Sequence, residues 1–169
     1  VMLDLARSDA GRLTLEFETL DPELVVLDAY ERLQALAPKQ LRLASPFEAE
    51  IPCITADAER LQQCLASLVD NAVRYSAGAV RLAVSASDDS VILHVRDQGP
   101  GIPEQERGQV LQRFVRGSTS IGTRGSGIGL ATVKVLMEAM QGELLIGDAP
   151  EGGADLQLLF RISDPQLAP

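Results

Sequence analysis

The sequence predicts a two-layer α/β sandwich, a mixed and largely antiparallel sheet covered on one face by helices. Two alternating apolar runs, Val80-Leu82-Val84 and Val91-Leu93-Val95, are joined by the turn-rich Ser87-Asp88-Asp89-Ser90 and read as a hairpin. Segments with apolar residues at helical spacing are interspersed with such strands, an α+β order. With 169 residues and 46% hydrophobic content, the chain is sufficient for one domain with an ordinary core.

From the start, Val1 to Ser8 reads as the last turns of a helix stopped near Gly11. Leu13, Leu15 and Phe17 then alternate with Thr14, Glu16 and Glu18, the period of a half-buried strand. Asp21-Pro22-Glu23 combines a carboxylate cap, a proline where no N–H is needed and an acid facing the helix dipole, so a helix is expected to about Ala37, before Pro38. A short strand around Leu41 to Ala44 and an irregular proline-containing segment follow. Asp57 then caps a second helix, with Leu61, Leu65, Leu68 and Ala72 on its apolar face. Beyond the hairpin, a region rich in glycine and charge runs from Gln98 to Gly127. A helix from Ile128 to Gln141 is ended by Gly142, and strands Glu143 to Ile146 and Ala154 to Ile162 flank the loop Gly147 to Gly153.

Composition narrows the function classes. A formal charge of −9 repels polyanions at long range and argues against a nucleic-acid or anionic-membrane surface as the main partner. Cys53 and Cys64 lack metal-ligand spacing and read as buried thiols of a reducing compartment. No run of about 18 apolar residues and no signal-peptide pattern occurs, so the piece reads as cytosolic, with Val1 suggesting a start partway through a longer protein.

Three features carry nucleotide chemistry. On the second helix, Ser67, Asn71 and Arg74 share a polar stripe, and an Asn amide oxygen suits a hard Mg²⁺ ion already held by phosphates; a solvated helix face explains the same residues. Asp97-Gln98-Gly99-Pro100-Gly101 follows a strand directly. Its carboxylate can accept from an exocyclic amine such as adenine N6, and its glycines let backbone approach a planar ring, although a plain Asp-Gly turn has the same wording. Gly125-Ser126-Gly127-Ile128-Gly129-Leu130 opens a helix and exposes N–H groups to an anion. It lacks the P-loop lysine, and a loop rather than a strand precedes it.

Together, in this order, these features resemble the catalytic domain of bacterial sensor histidine kinases, of the Bergerat-fold superfamily that also includes gyrase, the ATP-driven heat-shock chaperones and MutL. The Asn71 segment resembles the N box, the Asp97 segment the first glycine box, Arg113-Phe114-Val115-Arg116-Gly117 the F box, and Gly125 to Gly129 the second glycine box. Gly152-Gly153 resembles the last glycine motif. The resemblance implies that Asn71 ligates Mg²⁺, Arg74 meets a phosphate, Tyr75 packs near the base and Asp97 reads adenine. It further implies that Gly99, Gly101 and Ile102 shape the adenine pocket, and that Gly125, Gly127, Ile128, Gly129 and Leu130 surround the phosphate tail. An ATP lid is expected over about Pro103 to Arg124, with Arg116 and Arg124 as candidates for the terminal phosphate.

Two positions depart from the family pattern. Ser67 stands where an earlier Asn is usual, and Ala154 where many relatives have Thr. Hydrolysing branches carry a Glu general base at the place of Ser67, a task that Ser does not perform near neutral pH without a partner base. The only histidine, His94, lies on a strand and is followed by Val95 and Arg96, so it reads as a sheet residue and not as a phosphoacceptor.

The expected function is MgATP binding and transfer of the γ-phosphoryl to a histidine on a separate dimerisation domain, in a two-component system with a cognate response regulator and a homodimeric parent. The domain is expected in the cytoplasm, its parent anchored in the inner membrane. Residues 1–10 would end the dimerisation helix, 11–164 form the catalytic domain and 165–169 a tail. A serine-protein kinase of the anti-sigma type and a degenerate, regulatory ATP-binding module are the rival readings.

Overall fold

The strongest period-2 segments form the main sheet. The computed structural model describes residues 14–35, 38, 40–43, 51–75, 78–98, 105, 129–150 and 152–162. In chain order its elements are β1 (Phe17–Leu20), α1 (Pro22–Gln34), β2 (Leu41–Leu43), β3 (Ile54–Asp57), α2 (Ala58–Tyr75), β4 (Val80–Ala86), β5 (Ser90–Arg96), α3 (Leu130–Ala139), β6 (Gly142–Asp148) and β7 (Ala154–Arg161). The main sheet has the order β2-β4-β5-β7-β6. Its β2–β4 pair is parallel and its other three pairs are antiparallel, the mixed sheet that the alternation implied.

Val80, Leu82, Val84, Val91, Leu93, Val95, Leu156, Leu158 and Phe160 turn to one face and form a single buried cluster with the helices. Helix α1 packs on β2 and β4, α2 lies between α1 and α3 over β4 and β5, and α3 covers β6. Leu61, Leu65, Leu68 and Ala72 of α2 are all buried, as their spacing requires.

Local signals explain the helix starts. Asp21 Oδ1 accepts from the Glu23 N–H at 2.9 Å, and Pro22 opens α1. Asp57 does two jobs: Oδ1 accepts from Arg60 N–H at 2.9 Å at the start of α2, and Oδ2 accepts from Glu16 N–H at 2.8 Å. The second bond ties the segment before β1 to the end of β3.

Four details differ from the sequence expectations. The early strand is Phe17–Leu20, not the Leu13-Leu15-Phe17 alternation: it pairs antiparallel with β3, and Phe17 is left 48% exposed while Leu15 packs on the core. Strand β3 itself lies in the segment read as irregular, because the strand it pairs with, β1, is distant in the chain, from Leu20↔Ile54 to Phe17↔Asp57. Helix α3 starts at Leu130 with Gly129 as its cap, and the left-handed residue after it is Gln141 (φ 66), not Gly142. Gly142 is required for closeness instead: a Cβ there would stand 2.7 Å from both Leu159 O and Met137 Cε. Finally, Cys64 is buried, and burial, opposed by nearby Arg60, pushes its thiol up to about 12, whereas Cys53 is exposed and not buried as expected.

Among the described residues no helix is long and apolar enough to cross a membrane.

Candidate functional site

The C-terminal end of β5 meets the N-terminal end of β7, and Asp97 sits at that junction. The side chain is buried, and it is held by a reciprocal pair of bonds: Asp97 N–H donates to Ala154 O, and Ala154 N–H donates to Asp97 Oδ1, both at 3.0 Å. A carboxylate fixed at one oxygen by a backbone N–H presents a set direction for an external donor. The approach depends on Gly153, whose φ of 93 favours glycine and whose added Cβ would press into Asp97 O and lie 2.6 Å from Asp97 Oδ1. Gly152 N–H donates to Ala149 O and Ala149 N–H to Gly153 O, each at 3.0 Å, which closes the turn between β6 and β7.

This assigns the Gly152-Gly153-Ala154 segment a role that the sequence only outlined. Ala154 acts through its main chain, so a missing side-chain hydroxyl leaves the hold on Asp97 intact. Gln98, which was not singled out, braces the other side: its Oε1 accepts from Ala79 N–H at 3.1 Å. A Cβ at Gly78 would meet that same oxygen at 2.5 Å. No local pattern marks Gln98, because its partner lies 19 residues earlier.

Helix α2 runs over β4 and β5 and carries Ser67, Asn71 and Arg74. Ser67 is buried, whereas Asn71 and Arg74 are partly exposed. Arg74 Nε pairs with Asp70 Oδ2 at 3.1 Å across one helical turn, so the guanidinium is oriented by a neighbour on its own helix. The backbone of Tyr75 ends the helix. Among the described residues no group of three or more His, Cys, Asp or Glu could hold a metal ion. The neutral amide oxygen of Asn71 fits a magnesium ion whose other ligands are phosphate oxygens and water.

The N-terminus of α3 is the third component. Gly129 caps it without a side-chain hydrogen bond, and no acid lies in its first turn. Among the described residues, both other helices begin differently, with an Asp at the start and Glu23 or Glu59 in the first turn. An acid-free helix start without a side-chain cap presents N–H groups and the positive dipole end to an anion. Leu130 is buried beneath this turn. Gly99, Gly101, Ile102, Arg116, Arg124, Gly125, Gly127 and Ile128 lie outside the described residues, as do the expected lid and the expected dimerisation-helix remnant.

His94 is a buried sheet residue, as read from the sequence. Its Nε2 lies 2.7 Å from Ser85 Oγ and its Nδ1 3.0 Å from Asp155 Oδ2. Asp155 also accepts from Gln157 Nε2 at 3.0 Å and Arg96 Nε at 3.3 Å. Burial alone would raise the Asp155 pKa, but the hydrogen bond and electrostatic interaction with His94, the Gln157 bond and the Arg96 charge outweigh it and hold the carboxyl below its ordinary value. This Ser-His-Asp chain is a structural network: β5 and β7 are interior strands, so their N–H groups are committed to ladders and not free to form an oxyanion hole.

The family model described as "Histidine kinase-, DNA gyrase B-, and HSP90-like ATPase" matches residues 56–164. Sensor protein KdpD of Escherichia coli (strain K12) is 32% identical over 171 residues, covering 98% of this chain and 18% of KdpD. Signal transduction histidine-protein kinase AfsQ2 of Streptomyces coelicolor is 34% identical over 169 residues, covering 98% of this chain and 29% of AfsQ2. Among solved structures, full-length ShkA in complex with AMPPNP superposes with a TM-score of 0.77 at 30% identity, over 97% of this chain and 35% of ShkA. The chain thus spans less than a third of the length of the two curated relatives.

Proposed function

This chain belongs to the histidine kinase-, DNA gyrase B- and HSP90-like ATPase family, and from that premise we propose that it binds MgATP and donates the γ-phosphoryl group to a histidine on a separate dimerisation domain. The observation that carries the proposal is the buried Asp97 carboxylate, fixed by Ala154 N–H at the end of a central strand. It fits the exocyclic amine of adenine, a hydrogen-bond donor that a carboxylate recognises strongly.

The remaining assignments follow from chemistry. Asn71 would contribute a neutral oxygen to magnesium, which when bound offsets phosphate charge. Arg74, already aligned by Asp70, would face a phosphate, and the start of α3 at Gly129 and Leu130 would receive the phosphate tail. Tyr75, Gly99, Gly101 and Ile102 are assigned to the base pocket. Gly125, Gly127 and Ile128 join the phosphate site, and Arg116 and Arg124, on a lid of about residues 103–124, face the terminal phosphate. In the transfer, an imidazole nitrogen of the acceptor attacks the γ-phosphorus, the bond to the β,γ-bridging oxygen breaks and ADP leaves. Positioning and electrostatics supply the catalysis. Ser67 supports transfer over hydrolysis, since it is buried on α2 and is no general base for water. Residues 1–10 are assigned to the end of a dimerisation helix, 11–164 to the catalytic domain and 165–169 to a tail. The parent would be a homodimeric, inner-membrane-anchored sensor, with this domain in the cytoplasm and a response regulator as its phosphoryl recipient.

The test is incubation with γ-labelled ATP, with and without a separate dimerisation fragment carrying its acceptor histidine. Acid-labile label on the fragment, and none on this chain alone, is the expected result, because His94 is buried within the sheet. Acid-stable label would replace the proposal with a serine kinase, and tight ATP binding without any label would replace it with a regulatory module.

A further inference from the structure

The end of the main sheet that carries Asp97 is crossed by hydrogen bonds from strand to strand. Strand β4 lies between β2 and β5, and the residues leading into it, Gly78 and Ala79, are held from both sides. From the β2 side, the Gln40 carbonyl accepts from Val80 N–H at 2.8 Å, and Gln40 Nε2 donates to Gly78 O at 3.1 Å. From the β5 side, Gln98 Oε1 accepts from Ala79 N–H at 3.1 Å. Two side-chain amides thus engage the backbone just ahead of the ladder that joins β4 to β2 from Val80 onward. Gly78 makes room for this: an added Cβ would stand 2.5 Å from Gln98 Oε1 and 3.2 Å from Gln98 Cβ. Its φ lies outside the left-handed region, so the glycine answers to the Gln98 side chain and not to backbone strain. Gln98 is exposed, and an exposed glutamine held in one rotamer gives up conformational entropy that no core packing offsets.

Helix α2 ends at Tyr75, shortly before this clamp. Ala72 is buried, but Val73 and Arg74 beyond it are only partly so. The final turn is where a helix frays first, because its carbonyls have no intrahelical donors. The pair with Asp70 orients Arg74 on its own helix and does not tie the end of that helix to the sheet. We propose that Gln98, seated by Gly78 and backed by Gln40, is a positioning residue: it holds the last turn of α2, and with it Arg74, at a set place relative to Asp97. In this way it couples the phosphate side of the nucleotide site to the base side, an inference that rests on the nucleotide reading above. Asp97 itself does not need Gln98, since Ala154 fixes it through two bonds of its own. The consequence is specific. Although Gln98 follows Asp97 in the chain, its loss is felt by the phosphates and not by the base. A ligand that spans both sides gains from their fixed separation, whereas one that touches only the base side does not.

The experiment measures, by calorimetric titration, the dissociation constants of a non-hydrolysable ATP analogue with Mg²⁺ and of adenosine for the native chain and its variants. Gln98→Ala should weaken the analogue by about threefold to tenfold, the scale of one hydrogen bond, and leave adenosine unchanged. Gln98→Glu keeps an acceptor oxygen for Ala79 N–H and should restore native binding of the analogue. Gly78→Ala expels the Gln98 amide from its seat and should reproduce the Gln98→Ala pattern, the double variant being no weaker than either single one. Gln98 lies outside the core, so its truncation leaves the fold intact, and melting curves check this for each variant. Equal loss of the analogue and of adenosine, no loss of either, or additive losses in the double variant would overturn the inference while the nucleotide reading stands. A native chain that binds neither compound would overturn both.

Discussion

At Gly153 the absence of one methyl group decides whether Asp97 can be held. The backbone there has φ 93, and an added Cβ would collide with the Asp97 main chain and side chain. Gly153→Ala should therefore cost about 1–3 kcal/mol of stability and weaken nucleotide binding at the same time. Thermal unfolding and titration with an ATP analogue measure the two effects, and a stable variant with native affinity would remove Gly153 from this role. Asp97→Asn separates the contributions: the amide conserves size but loses the charge. Binding of an ATP analogue should weaken by about 1.5–3 kcal/mol, or ~10–150-fold, and unchanged affinity would take Asp97 out of the adenine site. Both residues were singled out in the sequence, but the bond from Ala154 N–H was not, because a main-chain donor has no side-chain signature.

Among the elements, helix starts were legible and helix ends less so. Asp21 and Asp57 act through bonds spanning two or three residues and Pro22 through its fixed φ at the first helical position, all of which sequence spacing captures. The end of α3 depends instead on what surrounds it. Gly142 is drawn into β6 against Leu159 and Met137, so Gln141 takes the left-handed conformation that a glycine would adopt more readily. Gln141→Gly should accordingly stabilise the protein by about 1 kcal/mol. Gly142→Ala should destabilise it, through collision with the Leu159 carbonyl. Chemical denaturation compares the two variants, and opposite signs are the expected outcome. Strands β1 and β3 were the least legible elements: each is four residues long, and neither alternates cleanly with respect to a buried face.

For the whole molecule, the network around Asp155 makes a definite acid response. Its carboxyl is held below its ordinary value in the folded chain, so the unfolded chain binds the proton at a higher pH. The resulting stability is fully present above that value and is lost as pH falls through it toward the folded pKa. Melting temperatures between pH 6 and pH 2.5 should fall less steeply below pH 4 for Asp155→Asn than for the native chain. The same variant should be less stable at neutral pH, by roughly 1–3 kcal/mol, since His94, Gln157 and Arg96 lose a charged acceptor. Parallel acid profiles would show that Asp155 does not carry the effect.

The sequence by itself determined the layers, the hairpin, the two capped helix starts and the apolar face of α2. All of these depend on periodicity or on bonds between near neighbours. Only the tertiary structure decided that β1 pairs with β3, that Cys53 is exposed, that Ala154 holds Asp97, and that Gln40 and Gln98 meet at Gly78 and Ala79. Each of these is a register between segments distant in the chain. Such a register is set by which apolar faces meet in the core, and no local spacing encodes it.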